Sequence, residues 1–246
     1  MGNPTLSEKT FTSFERTARA EEAMTIQGTV NKTIILLALV VLSAAWTWKR
    51  FAIDGNPGAV MPWLAVGGIG GLIAALVTVF KKEWSMVTAP VYALFEGLVL
   101  GGLSCMMELM FPGIVMQAVG LTFGTLFTLL LAYKSGMIRA TENFKLGVVA
   151  ATGGICLIYL ATMVLGFFGV HMPYIHDNGW VGIGFSAFVV VIAALNLVLD
   201  FDLIETGAAQ GAPRFMEWYG AFALMVTLIW LYLEILRLLS KMRSRN

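Results

Sequence analysis

Seven apolar runs, most of them about 20 residues long and each closed by charge, glycine or proline, constrain this chain more than any other feature. A helix needs about 20 predominantly apolar residues to cross a hydrocarbon layer of ~30 Å. The runs Thr33–Trp48, Met61–Phe80, Pro90–Phe111, Ile114–Tyr133, Leu146–Phe168, Val181–Leu199 and Met216–Leu236 approach or meet that length again and again. Between them lie Lys49-Arg50 through Gly58, Lys81-Lys82-Glu83, Pro112-Gly113, Lys134 through Lys145, Val170 through Trp180, and Asp200 through Arg214, where the backbone must leave lipid. A membrane β-barrel would instead show segments of about ten residues alternating apolar and polar. The expected fold is therefore an all-α integral membrane protein, a seven-transmembrane-helix bundle over residues 32–241. A polar tail, 1–31, precedes it and a short basic tail, 242–246, follows.

Composition agrees, with 58% hydrophobic residues against 13% charged and a mean hydropathy of +0.81. Sixteen Lys and Arg nearly balance fifteen Asp and Glu, for a net charge of +1, so there is no basic surface to neutralise a phosphate backbone and nucleic acid is not expected as a partner. Cys105 and Cys156 both lie in apolar runs and read as buried thiols rather than a disulfide framework. Residues 1–31 are polar, unlike a secretory signal, so the first run is expected to serve as address and anchor. Lys81, Lys82, Lys134, Arg139, Lys145 and Arg214 lie in alternate loops, against Lys49 and Arg50 in the others, which favours a cytoplasmic N-terminus. The basic end Arg237, Lys241, Arg243, Arg245 runs against that bias and leaves the side of the C-terminus open. Gly67/Gly71, Gly97/Gly101 and Gly120/Gly124 are small-xxx-small pairs that suit close helix packing.

Charge inside the spans is scarce and all acidic: Glu96, Glu108, Glu217 and Glu234. An ionised group at mid-membrane costs several kcal/mol, about 3 to more than 10 by different scales, so such groups protonate, pair or line water. Glu217, beside Trp218 and Tyr219, and Glu108, just before Pro112-Gly113, read as headgroup-level and solvated. Glu96 reads equally as a neutral acid bonded to a neighbouring helix or as part of an ion pathway. Glu234 reads as a pathway residue or as an ordinary i,i+3 partner of Arg237. Asp200, Asp202 and Glu205 crowd the end of the sixth run, where carboxylates oppose the helix dipole and need another partner. Such a cluster titrates as a unit, and when ionised it offers hard oxygens suited to Ca²⁺.

The stretches Ala89-Pro90-Val91-Tyr92-Ala93-Leu94-Phe95-Glu96-Gly97-Leu98-Val99-Leu100-Gly101, Asp200-Phe201-Asp202 and Leu231-Tyr232-Leu233-Glu234-Ile235-Leu236 together resemble the Bax inhibitor-1 family, in its bacterial branch. The resemblance implies seven helices with the last one central, in a bacterial inner membrane, and a pH-sensitive calcium leak gated by an acidic pair between helices six and seven. It places the helix-six acid on Asp202, with Asp200 as second choice, and the helix-seven acid on Glu234, where the family usually has Asp. Asp200, Asp202 and Glu234 would then form the proton sensor and hold Ca²⁺ in passing, with Glu96 and Glu205 as candidate pathway residues. A basic latch of some relatives falls on Lys81 and Lys82, which cannot reproduce the bidentate fork of arginine. One difficulty is geometric. Glu234 lies sixteen residues beyond Trp218, about 24 Å along a helix, so meeting Asp202 requires the seventh helix to begin well outside the membrane.

The alternative function is a non-transporting regulator that binds other membrane proteins, such as a membrane protease. Enzymatic readings fare worse. An intramembrane aspartyl protease needs Gly-x-Gly-Asp where this chain has Leu-Tyr-Leu-Glu, and Ser186 has no evident downstream base. A retinal pigment would need a lysine that the seventh helix lacks before Lys241. His171, His176 and Asp177 are too irregularly spaced to argue for a metal, and no resident cofactor is expected.

Overall fold

The structure is a computed structural model that describes residues 23–54, 58, 60–169 and 179–245. Among them are seven helices long and apolar enough to cross a membrane. They are α1 (Ile26–Asp54), α2 (Met61–Phe80), α3 (Ser85–Met110), α4 (Ile114–Lys134), α5 (Glu142–Phe167), α6 (Trp180–Ala209) and α7 (Met216–Arg243), with a single 3₁₀ turn, Lys82–Trp84, ahead of α3. The all-α membrane fold stands as the sequence implies. Most of the breaks follow local chemistry. Pro62 sits in the first turn of α2, where its missing N–H costs nothing, and Gly113 adopts φ 82° to turn the chain from α3 into α4.

Several helices extend beyond their apolar cores. α5 starts at Glu142 because Thr141 caps it, its side chain accepting a hydrogen bond from Phe144 N at 3.3 Å. α1 starts at Ile26, so the polar tail ends sooner than residue 31. Thr25 stands before it, its hydroxyl accepting from Gly28 N at 2.9 Å. These extensions bring Lys32, Lys82, Lys145, Arg237 and Lys241 into the helices. The spans are therefore not purely acidic, as their apolar cores alone suggest.

Two compact units make up the chain, one formed by α1–α3 with Leu203–Val226, the other by α4, α5, α6 up to Asp202 and α7 from Thr227. In the first, α3 packs against both α1 and α2. A Cβ on Gly67 would stand 2.6 Å from the carbonyl oxygen of Phe95, and one on Gly101 would collide with the carbonyl oxygen of Ala44. Those glycine pairs are close-packing devices. Gly120 and Gly124 on α4 are not, because an added Cβ meets nothing within 4 Å among the described residues.

In the second unit Ile155, Val189 and Ile192 form a buried cluster joined by Tyr159, Phe185, Leu195 and Trp230. α7 runs antiparallel to α6 through this cluster, and Lys241 reaches Gly182 O at 3.1 Å near the start of α6. Arg245 lies over the ring of Trp180, 3.5 Å from its centroid. The seventh helix thus runs alongside this part of α6 to its start. It is also the most enclosed helix, with 61% of its apolar window buried against 11–44% for the others, as a central last helix requires. Cys105 is buried, but Cys156 is exposed, so only the first is a buried thiol.

Candidate functional site

Asp202 ends the α6 portion of the second unit, and its carboxylate is 2.9 Å from the ammonium of Lys145 on α5. Lys145 also lies 3.3 Å from Glu142, and the Tyr133 hydroxyl points at Asp202 from 3.5 Å, at the long limit for a hydrogen bond. The pair is partly solvated, with about a fifth to a quarter of each side chain exposed. The expected need for a partner at this helix end is met by a base on a neighbouring helix. Taking the fourth separator as a loop through Lys145 hid it, although Thr141 as N-cap with Glu142 in the first turn would have drawn Lys145 into the helix.

Glu234 is 2% exposed. Arg237 Nη1 donates to both of its oxygens, at 2.9 and 3.1 Å, so the i,i+3 pair forms. The Tyr159 hydroxyl donates to Glu234 Oε1 at 3.0 Å and itself accepts from Arg237 at 2.7 Å, closing a three-membered ring of charge-assisted bonds. Burying a carboxylate costs several kcal/mol unless it is paired and bonded, and this ring supplies both conditions.

The two acids are not one site. Lys145, which holds Asp202, and Tyr159, which holds Glu234, are fourteen residues apart on the unbroken α5, about 21 Å along its axis. The register of α6 and α7 agrees: with Lys241 at Gly182 and Ser186, and Trp230 among Ile192 and Leu195, Glu234 lies about three turns of α6 short of Asp202. Direct pairing of Asp202 with Glu234 is therefore corrected to two acid–base groups at different levels. A metal set of Asp200, Asp202 and Glu234 is corrected with it. Among the described residues no group of three or more His, Cys, Asp or Glu side chains is gathered as a metal ion would need.

Asp200 is wholly buried. One turn before it stands Asn196, 1% exposed, whose Nδ2 donates to Thr152 Oγ1 and to Ile192 O, both at 2.8 Å. Sequence reasoning passed over Asn196, since a lone amide in an apolar run carries no charge signal. Glu205 is exposed near the end of α6. Glu96 is half-buried on α3, with Oε2 3.1 Å from where a Cβ on Gly71 would be, so that glycine makes room for it. Lys81 lies over the Trp84 ring at 4.8 Å and Lys82 over the Tyr219 ring at 5.6 Å, so both engage aromatic faces.

Glu217 departs most from its expected place. It is 2% exposed rather than solvated, ion-paired with Lys32, and accepts from Thr25 N and Thr25 Oγ1, both at 2.9 Å. The aromatic neighbours Trp218 and Tyr219 suggested a headgroup belt, but Tyr219 is buried and Trp218 lies beneath Lys32, at 5.6 Å. Ser186 has a basic neighbour after all, Lys241 Nζ at 2.9 Å, but the hydroxyl belongs to a side chain only 1% exposed, which gives a substrate no approach. His171, His176 and Asp177 lie outside the described residues.

Among curated proteins and solved structures, nothing matches the chain. A family model does, that of Bax inhibitor 1 like proteins, and it covers residues 3–244. With seven apolar helices, a most-enclosed last helix and buried acids on the sixth and seventh, the chain belongs to the Bax inhibitor 1 like family of membrane proteins.

Proposed function

We propose that this protein is a pH-sensitive calcium leak of the bacterial inner membrane, with its N-terminus in the cytoplasm, and that it is not an enzyme. The observation that carries the reading is Glu234, a carboxylate 2% exposed within a membrane helix and held by Arg237 and Tyr159. So costly a group is retained for a use, and a bilayer-spanning acid that can exchange a base for a proton or a cation has an obvious one. Ionised, Glu234 offers a passing cation two oxygens in competition with Arg237. Protonated, it offers no charge, and cation passage falls. The sensor therefore works through exchange of partners at Glu234, not through repulsion between adjacent acids. Asp202 with Lys145 forms a second lock at the end of the same unit, and Glu96 and Glu205 supply further acidic oxygens to the pathway.

Reconstitution into liposomes tests this. Wild-type protein should pass Ca²⁺ at a rate that falls on acidification, Glu234→Gln should be slow at every pH, and Asp202→Asn should shift the rate. Wild-type-like flux in both variants would end the proposal. Absence of flux together with a stoichiometric co-purifying membrane protein would favour the regulator instead.

A further inference from the structure

We propose that Lys81, Lys82 and Arg214 form a binding site for the phosphate of an anionic phospholipid, where the start of α7 meets the turn between α2 and α3. α2 runs through Met61–Phe80 without a charge, and the first two residues past it are lysines. Arg214 is brought to them by its neighbour: Ser85, the first residue of α3, donates its hydroxyl hydrogen to Phe215 O at 3.1 Å. Lys82 closes the same junction, its ammonium lying over the Tyr219 ring at 5.6 Å from the centroid. All of these residues belong to the unit built on α1–α3. What sets the three bases apart is the want of an acid. Lys32 is held by Glu217 and Lys145 by Asp202, so those ammoniums are neutralised within the protein. Among the described residues no carboxylate pairs with Lys81, Lys82 or Arg214. Glu217 is engaged by Lys32 and Thr25, which leaves Glu83, exposed in the 3₁₀ turn, as the single acid beside three bases. The rings beneath Lys81 and Lys82 attract a cation without neutralising it.

The surroundings choose the anion. Phe80 is 82% exposed, Trp84 56% and Val87 66%, so apolar side chains flank the bases on the surface that lipid covers. A soluble anion gains nothing from them, whereas a phospholipid sets its phosphate on the bases and its acyl chains along α2 and α3. The fork of Arg214 suits two phosphate oxygens, and the lysines supply point charge. The headgroup must be anionic overall. Phosphatidylglycerol meets that need, while the quaternary ammonium of phosphatidylcholine cancels its phosphate charge and opposes the bases.

The site stands apart from the leak reading, since equilibrium binding in detergent tests it without any flux. Full-length protein in a neutral detergent is titrated with phosphatidylglycerol, with phosphatidylcholine and with inorganic phosphate. The thermal midpoint and the lipid retained in native mass spectra are followed, each variant being compared with its own lipid-free midpoint. The expected result is a saturable rise and retained lipid with phosphatidylglycerol alone, weakened by added salt. Lys81→Gln, Lys82→Gln and Arg214→Gln should each weaken that binding roughly fivefold, and the triple substitution should abolish the preference. Lys82→Arg, which keeps the charge, should retain it. Equal binding of phosphatidylglycerol and phosphatidylcholine overturns the proposal, as does a preference that survives the triple substitution. A rise that inorganic phosphate reproduces also overturns it, since the bases would then serve a soluble oxyanion.

Discussion

The carboxylate of Glu217 fills the space that a Cβ on residue 28 would occupy, so Gly28 is what lets α7 hold the start of α1. Around that contact Glu217 binds Lys32 and both donors of Thr25, while Met24 N donates to Ala212 O at 2.6 Å. Gly28→Ala should push the carboxylate off these partners and destabilise the fold by about 3 kcal/mol or more, as overpacking adds to a broken buried pair. Chemical denaturation in detergent measures it, and an unchanged midpoint would show that the carboxylate relocates freely.

Removing Arg237 leaves Glu234 buried without its base. Arg237→Met should therefore cost about 3–5 kcal/mol. Tyr159→Phe removes only one hydrogen bond to a charged group and should cost about 1.5–3 kcal/mol. Unfolding of the two variants side by side checks the order. A larger loss in Tyr159→Phe would mean that the ring of bonds is organised around the phenol.

Lys145 and Asp202, being partly solvated, should couple weakly. A double-mutant cycle of Lys145→Met and Asp202→Asn is expected to give no more than about 1 kcal/mol, reduced by added salt. A coupling several times larger would place the pair in a drier setting than its exposure implies.

The separation of the two acids can be probed by thiol chemistry in a background lacking Cys105 and Cys156. Cysteines at 145 and 202 should be joined by a short bifunctional thiol reagent, and those at 202 and 234 should not. Efficient joining of 202 to 234 would restore the acidic pair.

The glycine pairs make a contrast. Gly101→Val meets the backbone of Ala44 and should prevent proper packing, at a cost of about 1–3 kcal/mol or more. Gly120→Ala meets nothing within 4 Å among the described residues and should gain about 0.5–1 kcal/mol from helix propensity. Thermal midpoints of the two variants decide it.

Much of this molecule is readable from residue order alone. Seven spans follow from run length and separators, because lipid permits few alternatives to a helix of about 20 residues. That Glu234 needs a partner, and the i,i+3 geometry that gives it Arg237, follow from burial cost and helical spacing. What hydropathy conceals is where a helix begins once it has left the hydrocarbon. Lys145 looks like a loop residue and Lys32 stands just ahead of the first apolar run until Thr141 and Thr25 are seen to stand at helix starts, and with those bases hidden Asp202 lacks a visible partner and Glu217 reads as solvated. Asn196 is hidden for another reason. Its burial and its bonds to Thr152 and Ile192 depend on how α5 and α6 pack, and no spacing rule contains that.

α5 grips one acid near its first turn through Lys145 and another fourteen residues later through Tyr159. A helix is a stiff strut, so the spacing of these two contacts is fixed by its rise. The acids on α6 and α7 are thus fastened to one rigid element at points about 21 Å apart, a gap too wide for their charges to bridge directly.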